Sequence, residues 1–150
     1  MRDIPSDTVV TELKTDNNDL SVWKIESDSD IDDAFVALGS GCSGVGTIWA
    51  VKILPDELPG IEVNSEAGNT PTIGINQKHL NISNLNYVSM GDVIASVLNC
   101  FRDKDNRIVK KSKADMKKLL ACAYKQGRLI TSDINPAVMK EINKEIEKQR

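Results

Sequence analysis

Apolar positions recur along this chain with two different periods, and the change of period divides it into elements. Residues 8–13 read Thr-Val-Val-Thr-Glu-Leu, a β-branched run that predicts a strand. After a polar, turn-like stretch, residues 20–26 alternate: Leu20, Val22 and Lys24 face one way, and Ser21, Trp23 and Ile25 the other. The short connection between them predicts an antiparallel pair. The period then switches. Ile31, Ala34, Phe35 and Leu38 fall at the i, i+3, i+4, i+7 spacing of one helical face. Ser27 and Ser29 are candidate N-caps, each with an aspartate three residues later, Asp30 and Asp32. Gly39 is placed to end that helix as a C′ residue.

Residues 47–54, Thr-Ile-Trp-Ala-Val-Lys-Ile-Leu, are nearly continuously apolar and predict a central strand, which with the preceding strand and helix makes a β-α-β unit. Pro55 and Pro59 stop it. Residues 60–79, with Pro71, three glycines and scattered isoleucines, read as irregular chain or short edge strands. The helical period returns three times. Residues 89–101 place Ile94, Val97, Leu98 and Phe101 on one face, and Met116, Leu119, Leu120 and Ala123 follow a capping box at Ser112 and run to Gly127. The third has Val138, Ile142 and Ile146 behind an Asn135 cap and Pro136. The expected class is α+β, with a small N-terminal sheet of about three strands carrying the β-α-β unit, then a mainly helical C-terminal half. Residues 1–150 are expected to form one domain, with 1–7 as a mobile arm.

Composition narrows the function classes. Apolar residues at 40% and charged residues at 27% are those of a folded globular chain. At 4% aromatics there is little material for the base-stacking platforms of single-strand binders. Cys42, Cys100 and Cys122 are too few and too widely spaced for a disulfide framework or a zinc knuckle. Cys100 and Cys122 sit on or beside apolar helix faces and are expected to be packing residues. With no apolar stretch at the N-terminus, no signal peptide is expected, and a reducing cytoplasmic compartment follows.

Charge adds more. The net charge is only −3, yet residues 1–66 hold 14 acids and 4 bases while residues 67–150 hold 8 acids and 15 bases. Such asymmetry between halves is a hint about partners. An acidic surface suits a basic protein, and Asp16, Asp19, Glu26, Asp32, Asp33, Glu62 and Glu66 are the candidates for it. Asp28 and Asp30 are weaker candidates, because the helix dipole already accounts for acids there. The opposite half supplies a rival. Residues 102–128 hold 10 bases and 3 acids, and Lys110, Lys111, Lys113, Lys117 and Lys118 could contact nucleic acid. Lysine contacts phosphate without reading bases, so nucleic acid ranks behind a protein partner.

The remaining motifs are read against their structural alternatives. Gly39-Ser40-Gly41-Cys42-Ser43-Gly44 fits G-x-G-x-x-G, but it follows a helix and precedes a strand, the reverse of a dinucleotide loop, and reads as a connector. Cys42 and His79, the lone histidine, could form a nucleophile pair, though Cys42 lies in the acidic half, where a thiolate is disfavoured. The aspartates at 28, 30, 32 and 33 lack the glycine and distal glutamate of a calcium loop. No cofactor and no metal are expected, and no catalytic constellation emerges.

In size, lack of a signal, acidic tilt and absence of a catalytic motif, the whole chain resembles the small cytoplasmic immunity proteins that bacteria make against polymorphic or contact-dependent toxins. The resemblance implies a cognate toxin domain, often a nuclease, neutralised by one-to-one binding. The alternatives are a nucleic-acid-associated regulator and a small enzyme with its site in residues 39–46 or 60–79.

Overall fold

The computed structural model describes residues 18–58, 60–102 and 107–149. The expected arm at 1–7 and strand at 8–13 lie outside the described residues. The rest is α+β, as the periodicities predict. In chain order the elements are β1 (Leu20–Trp23), α1 (Asp28–Gly41), β2 (Ile48–Val51), β3 (Glu62–Ser65), β4 (His79–Ser83), α2 (Tyr87–Arg102), β5 (Ile108–Lys111), α3 (Lys113–Lys125) and α4 (Pro136–Lys148). Single 3-10 turns span Pro55–Glu57, Ile75–Lys78 and Thr131–Asp133. No helix among the described residues is long and apolar enough to cross a membrane.

Contacts divide the chain into two units. The first combines Met1–Val22, Val51–Ser65 and Leu80–Ile108; the second combines Trp23–Ala50, Glu66–His79 and Val109–Arg150. In the first, the three-stranded sheet has the order β1-β4-β3, and β3 pairs antiparallel with β4 from Glu62 opposite Ser83 to Ser65 opposite Leu80. Its core is small: Leu20, Ile82, Leu85 and Val93 are buried, with Val22, Leu58, Ile61 and Met90 packed against them. In the second, α1, α3 and α4 bury Ile31, Phe35, Met116, Leu120, Val138 and Ile142 in one cluster, against which Ile48, Ala50 and Val109 pack. Those last three come from the two-stranded β2-β5 sheet. The β-α-β unit expected over β1, α1 and β2 does not form, because its two strands lie in separate sheets.

Capping follows the sequence closely. The Ser27 hydroxyl accepts from the Asp30 N–H, and the Asp30 carboxylate accepts from the Ser27 N–H at 3.0 Å. The same reciprocal box joins Ser112 and Asp115 at the start of α3, at 3.2 Å in each direction. The end of α3 is a Schellman motif: the Gly127 N–H reaches the Tyr124 carbonyl, and the Arg128 N–H reaches the Ala123 carbonyl. Gly127 takes φ of 68°, the left-handed conformation the motif requires. Asn135 caps α4 through the Ala137 N–H, with Pro136 at its first position. Replacing Ser112 by alanine is expected to cost about 1 kcal/mol, with Ser112→Thr restoring most of it. Urea denaturation reads both, and an alanine variant as stable as the parent would remove the box from the account.

Four further sequence expectations need correction. Gly39 does not end α1, which runs on to Gly41 with Cys42 as C-cap. Gly39 is instead a point of close approach: a Cβ there would lie 2.6 Å from the Met116 methyl. The strand expected at 47–54 is only Ile48–Val51 and is not central; Trp49 is 53% exposed. The stripe on α2 is rotated, so that Val93, Ser96, Val97 and Cys100 are buried while Phe101 faces solvent. The apolar arc of α2 is wider than the face it buries, and the packed face lies toward one edge of that arc, on the side of Ser96. Finally, Cys122 is exposed, as Leu38 is, while Cys100 is buried as expected.

Candidate functional site

The acidic start of α1 is the natural place to look for a partner surface, because four aspartates fall within its first six residues. Most of them are already engaged within the second unit. Asp30 is buried, accepts the Glu26 N–H at 2.8 Å, and takes the Lys78 ammonium on both oxygens at 2.9 Å. The Lys78 ammonium, then the Glu26 N–H, hold its carboxyl down at about 2, and Asp30 in turn holds Lys78 above the usual lysine range. Glu26 pairs with Lys24 at 2.8 Å and Lys78 at 3.2 Å, and those cations lower its carboxyl. Asp32 pairs with Lys111 at 2.7 Å, and Asp33 pairs with Arg128. Asp28 is exposed and makes no ion pair among the described residues.

The other acidic candidates differ. Glu62, exposed on the edge strand β3, is held by amides: Asn64 donates at 2.9 Å and Asn84 at 2.6 Å. Those two donors lower its carboxyl without adding positive charge. Asp19 accepts the Asn84 N–H at 3.3 Å. Glu66 is exposed, and its backbone carbonyl accepts from His79 Nδ1 at 2.8 Å. Asp16 lies outside the described residues.

The opposite charges of the two chain halves therefore meet inside each unit. Asp30–Lys78, Asp32–Lys111 and Asp33–Arg128 join them in the second, and Glu57–Arg107 joins them at 2.5 Å in the first. Sequence polarity is not surface polarity, because bases distant in the chain fold back onto the acids. The basic segment shrinks in the same way. Lys110 sits 4.6 Å above the Trp49 ring, Lys111 is held by Asp32, and Lys117 pairs with Glu141. Of the five lysines, Lys110, Lys113 and Lys118 have no ion pair among the described residues, and Lys118 has the Asp115 carboxylate within electrostatic reach on its own helix.

These pairs give a pH response. Asp30 and Glu141 each sit at about 2, the second through Lys117 and then Lys144. Carboxyls lowered by folding contribute stability that is complete above their unfolded pKa and is lost as pH falls through the folded value. The melting temperature is expected to hold down to about pH 5 and then fall steadily toward about pH 2. Asp30→Asn should lower it at neutral pH and flatten the acid limb; a variant with the parent's full acid limb would exclude Asp30 as a source.

The remaining motifs are placed within the second unit. Gly39, Ser40 and Gly41 form the last turn of α1, with the Ser40 hydroxyl donating to the Ala37 carbonyl at 3.1 Å. His79 is buried, with Nδ1 donating to the Glu66 carbonyl and the ring edge against Trp23, 5.4 Å between centroids. It is anchored as a packing residue, and Cys42 is exposed at the end of α1. No group of three metal-ligating side chains occurs among the described residues.

What the sequence reasoning missed is where the aromatics lie. Of six, Trp49, Tyr87 and Phe101 are exposed, Tyr87 completely, and Val88 beside it is 75% exposed. Two features pointed there: Trp49 alternates with the core-facing Ile48 and Ala50, and α2 has more apolar residues than one buried face can absorb. No family model, curated protein or solved structure matches the chain.

Proposed function

We propose that this chain is a non-enzymatic protein-binding domain and that, as its resemblance to immunity proteins implies, it neutralises a bacterial toxin domain in the cytoplasm by one-to-one binding. The observation that carries the reading is the placement of its scarce aromatics. A chain with six aromatic residues leaves three at the surface, and exposed Trp and Tyr are the side chains on which binding energy concentrates. Asp19 and Glu62, in the same unit as Tyr87, meet no cation among the described residues and add negative charge suited to a basic partner. Asp32 and Asp33 are weaker contributors, since their charges are already met by Lys111 and Arg128.

The test is calorimetry of the full chain with the toxin domain encoded beside it, together with rescue of growth. Tyr87→Ala or Trp49→Ala is expected to weaken binding by about 2 kcal/mol, roughly 30-fold, with the fold intact. Glu62→Lys with Asp19→Lys should weaken it less and reduce its salt dependence, while Lys113→Glu with Lys118→Glu should do little. Loss of binding confined to the lysine variants would favour the nucleic-acid-associated reading instead.

A further inference from the structure

One edge of the first unit's sheet is β3, which has β4 on one side and no strand on the other among the described residues. Alternate residues of such a strand turn their N–H and C=O groups away from the sheet, where they form a template for another strand. Folded chains guard an edge of this kind with lysine, proline, a bulge or a covering loop. β3 reads Glu-Val-Asn-Ser, pairs residue for residue with β4, and is exposed at all four positions. Its one charge is Glu62, and that carboxylate is drawn back toward β4. Asn64 on the same strand holds it at 2.9 Å, and Asn84, just past the end of β4, holds it at 2.6 Å.

The two faces of this edge differ. Glu62 and Asn64 share one face, as their hydrogen bond requires. Val63 lies on the other, directly opposite Ile82, which is buried in the first unit's core. Cross-strand partners share a face, so Val63 continues that core to the edge, where it stays 47% exposed. The core is small, and a strand laid beside β3 would extend it. Glu62 meets amides and no cation among the described residues. An incoming strand therefore fits when it sets an apolar side chain beside Val63 and a basic one beside Glu62. A second copy of β3 fits less well, because it brings another carboxylate to the same ribbon and no cation. Tyr87, wholly exposed, follows Asn84 by three residues, so the segment that holds Glu62 leads into the aromatic anchor of the same unit.

We infer that the outer edge of β3 takes an extended segment of the partner as an added strand, one that alternates basic and apolar residues, with Glu62 and Val63 reading the alternation. This rests on the protein-binding reading and specifies how the partner is held.

The test is nuclear magnetic resonance of the full chain titrated with the peptide acetyl-Thr-Lys-Val-Lys-Val-Lys-Thr-amide, with amide hydrogen exchange on the same samples. Saturable one-to-one binding with Kd below about 1 mM is expected, with exchange slowed at alternate amides of β3. Val63→Lys and Glu62→Lys should each weaken it about fivefold or more. Asp133→Lys, the same charge reversal on an exposed residue of the second unit, should leave it unchanged. The amide spectrum of each variant checks the fold. Absence of saturation, equal binding of the peptide with both valines replaced by proline, or equal weakening by Asp133→Lys would each overturn the assignment. So would a dimer of the free chain that Val63→Lys dissolves, in favour of a second copy at the edge. The toxin domain encoded beside the chain separates the two readings. If it binds and exchange in β3 is unchanged, the edge assignment alone fails. If the peptide protects β3 and the toxin domain does not bind, the toxin-neutralising reading alone fails.

Discussion

Replacing Phe35 by alanine is expected to destabilise the protein by about 3–5 kcal/mol. The phenyl ring is 1% exposed and lies in the cluster that joins α1 to α3 and α4. Its neighbours there include Met116, Leu120 and Ile142, each itself fully buried, so none can move into the vacated space without leaving another void. A Lys111 ammonium 5.9 Å from the ring centroid adds an edge of cation–π attraction that alanine would also remove. The control is Phe101→Ala on α2, where the ring is 42% exposed and the loss should stay below about 1 kcal/mol. Denaturant titration of the two variants decides between the faces directly. Equal losses at both positions would mean that the first unit is as dependent on Phe101 as the second is on Phe35.

The second large effect concerns a residue with no side chain. Gly39→Val is expected to cost about 1–3 kcal/mol through overpacking. The first added carbon would arrive 2.6 Å from the Met116 methyl and 3.6 Å from a Leu120 methyl. Gly39→Ala is expected to be nearly neutral, because helix propensity gains about 1 kcal/mol while only the flexible tip of Met116 must give way. A branched residue also pushes at the stiffer Leu120 and loses that balance. Shortening the opposing side chain should relieve the clash, so Gly39→Val with Met116→Val is expected to be less destabilised than the two losses added together. Strict additivity would show that the helices separate rather than repack.

These two positions mark the boundary of what was legible in the sequence. Phe35 was readable as core because Ile31 and Phe35 keep strict helical spacing, and the caps Ser27, Ser112 and Asn135 were readable because capping is local chemistry, while Asn86, which accepts from the Val88 and Ser89 N–H groups at the start of α2, was missed. Gly39 was misread as a terminator because a glycine that admits a neighbouring helix looks the same in sequence as one that ends its own. The face of α2 was lost for a related reason: periodicity locates a wide apolar arc but not which part of it packs. The ion pairs were invisible because Asp33 and Arg128, or Asp30 and Lys78, are far apart along the chain and come together only after folding. An acidic half and a basic half were evident; which charges would remain for a partner was not. The exposed Tyr87 belongs to the same class, since it depends on which helix faces remain uncovered.

The closing of early acids by late bases sets an order of events during synthesis. When the ribosome has produced α1, the segment carries Asp30, Asp32, Asp33 and the apolar face of Phe35, while Lys78, Lys111, Arg128, Met116 and Leu120 have yet to be made. The emerging chain is then a self-repelling polyanion with an apolar stripe and nothing to bury it against. Its negative charge keeps it extended and discourages association with sister chains of the same sign, until α3 leaves the exit tunnel and supplies both the missing cations and the opposing core surface.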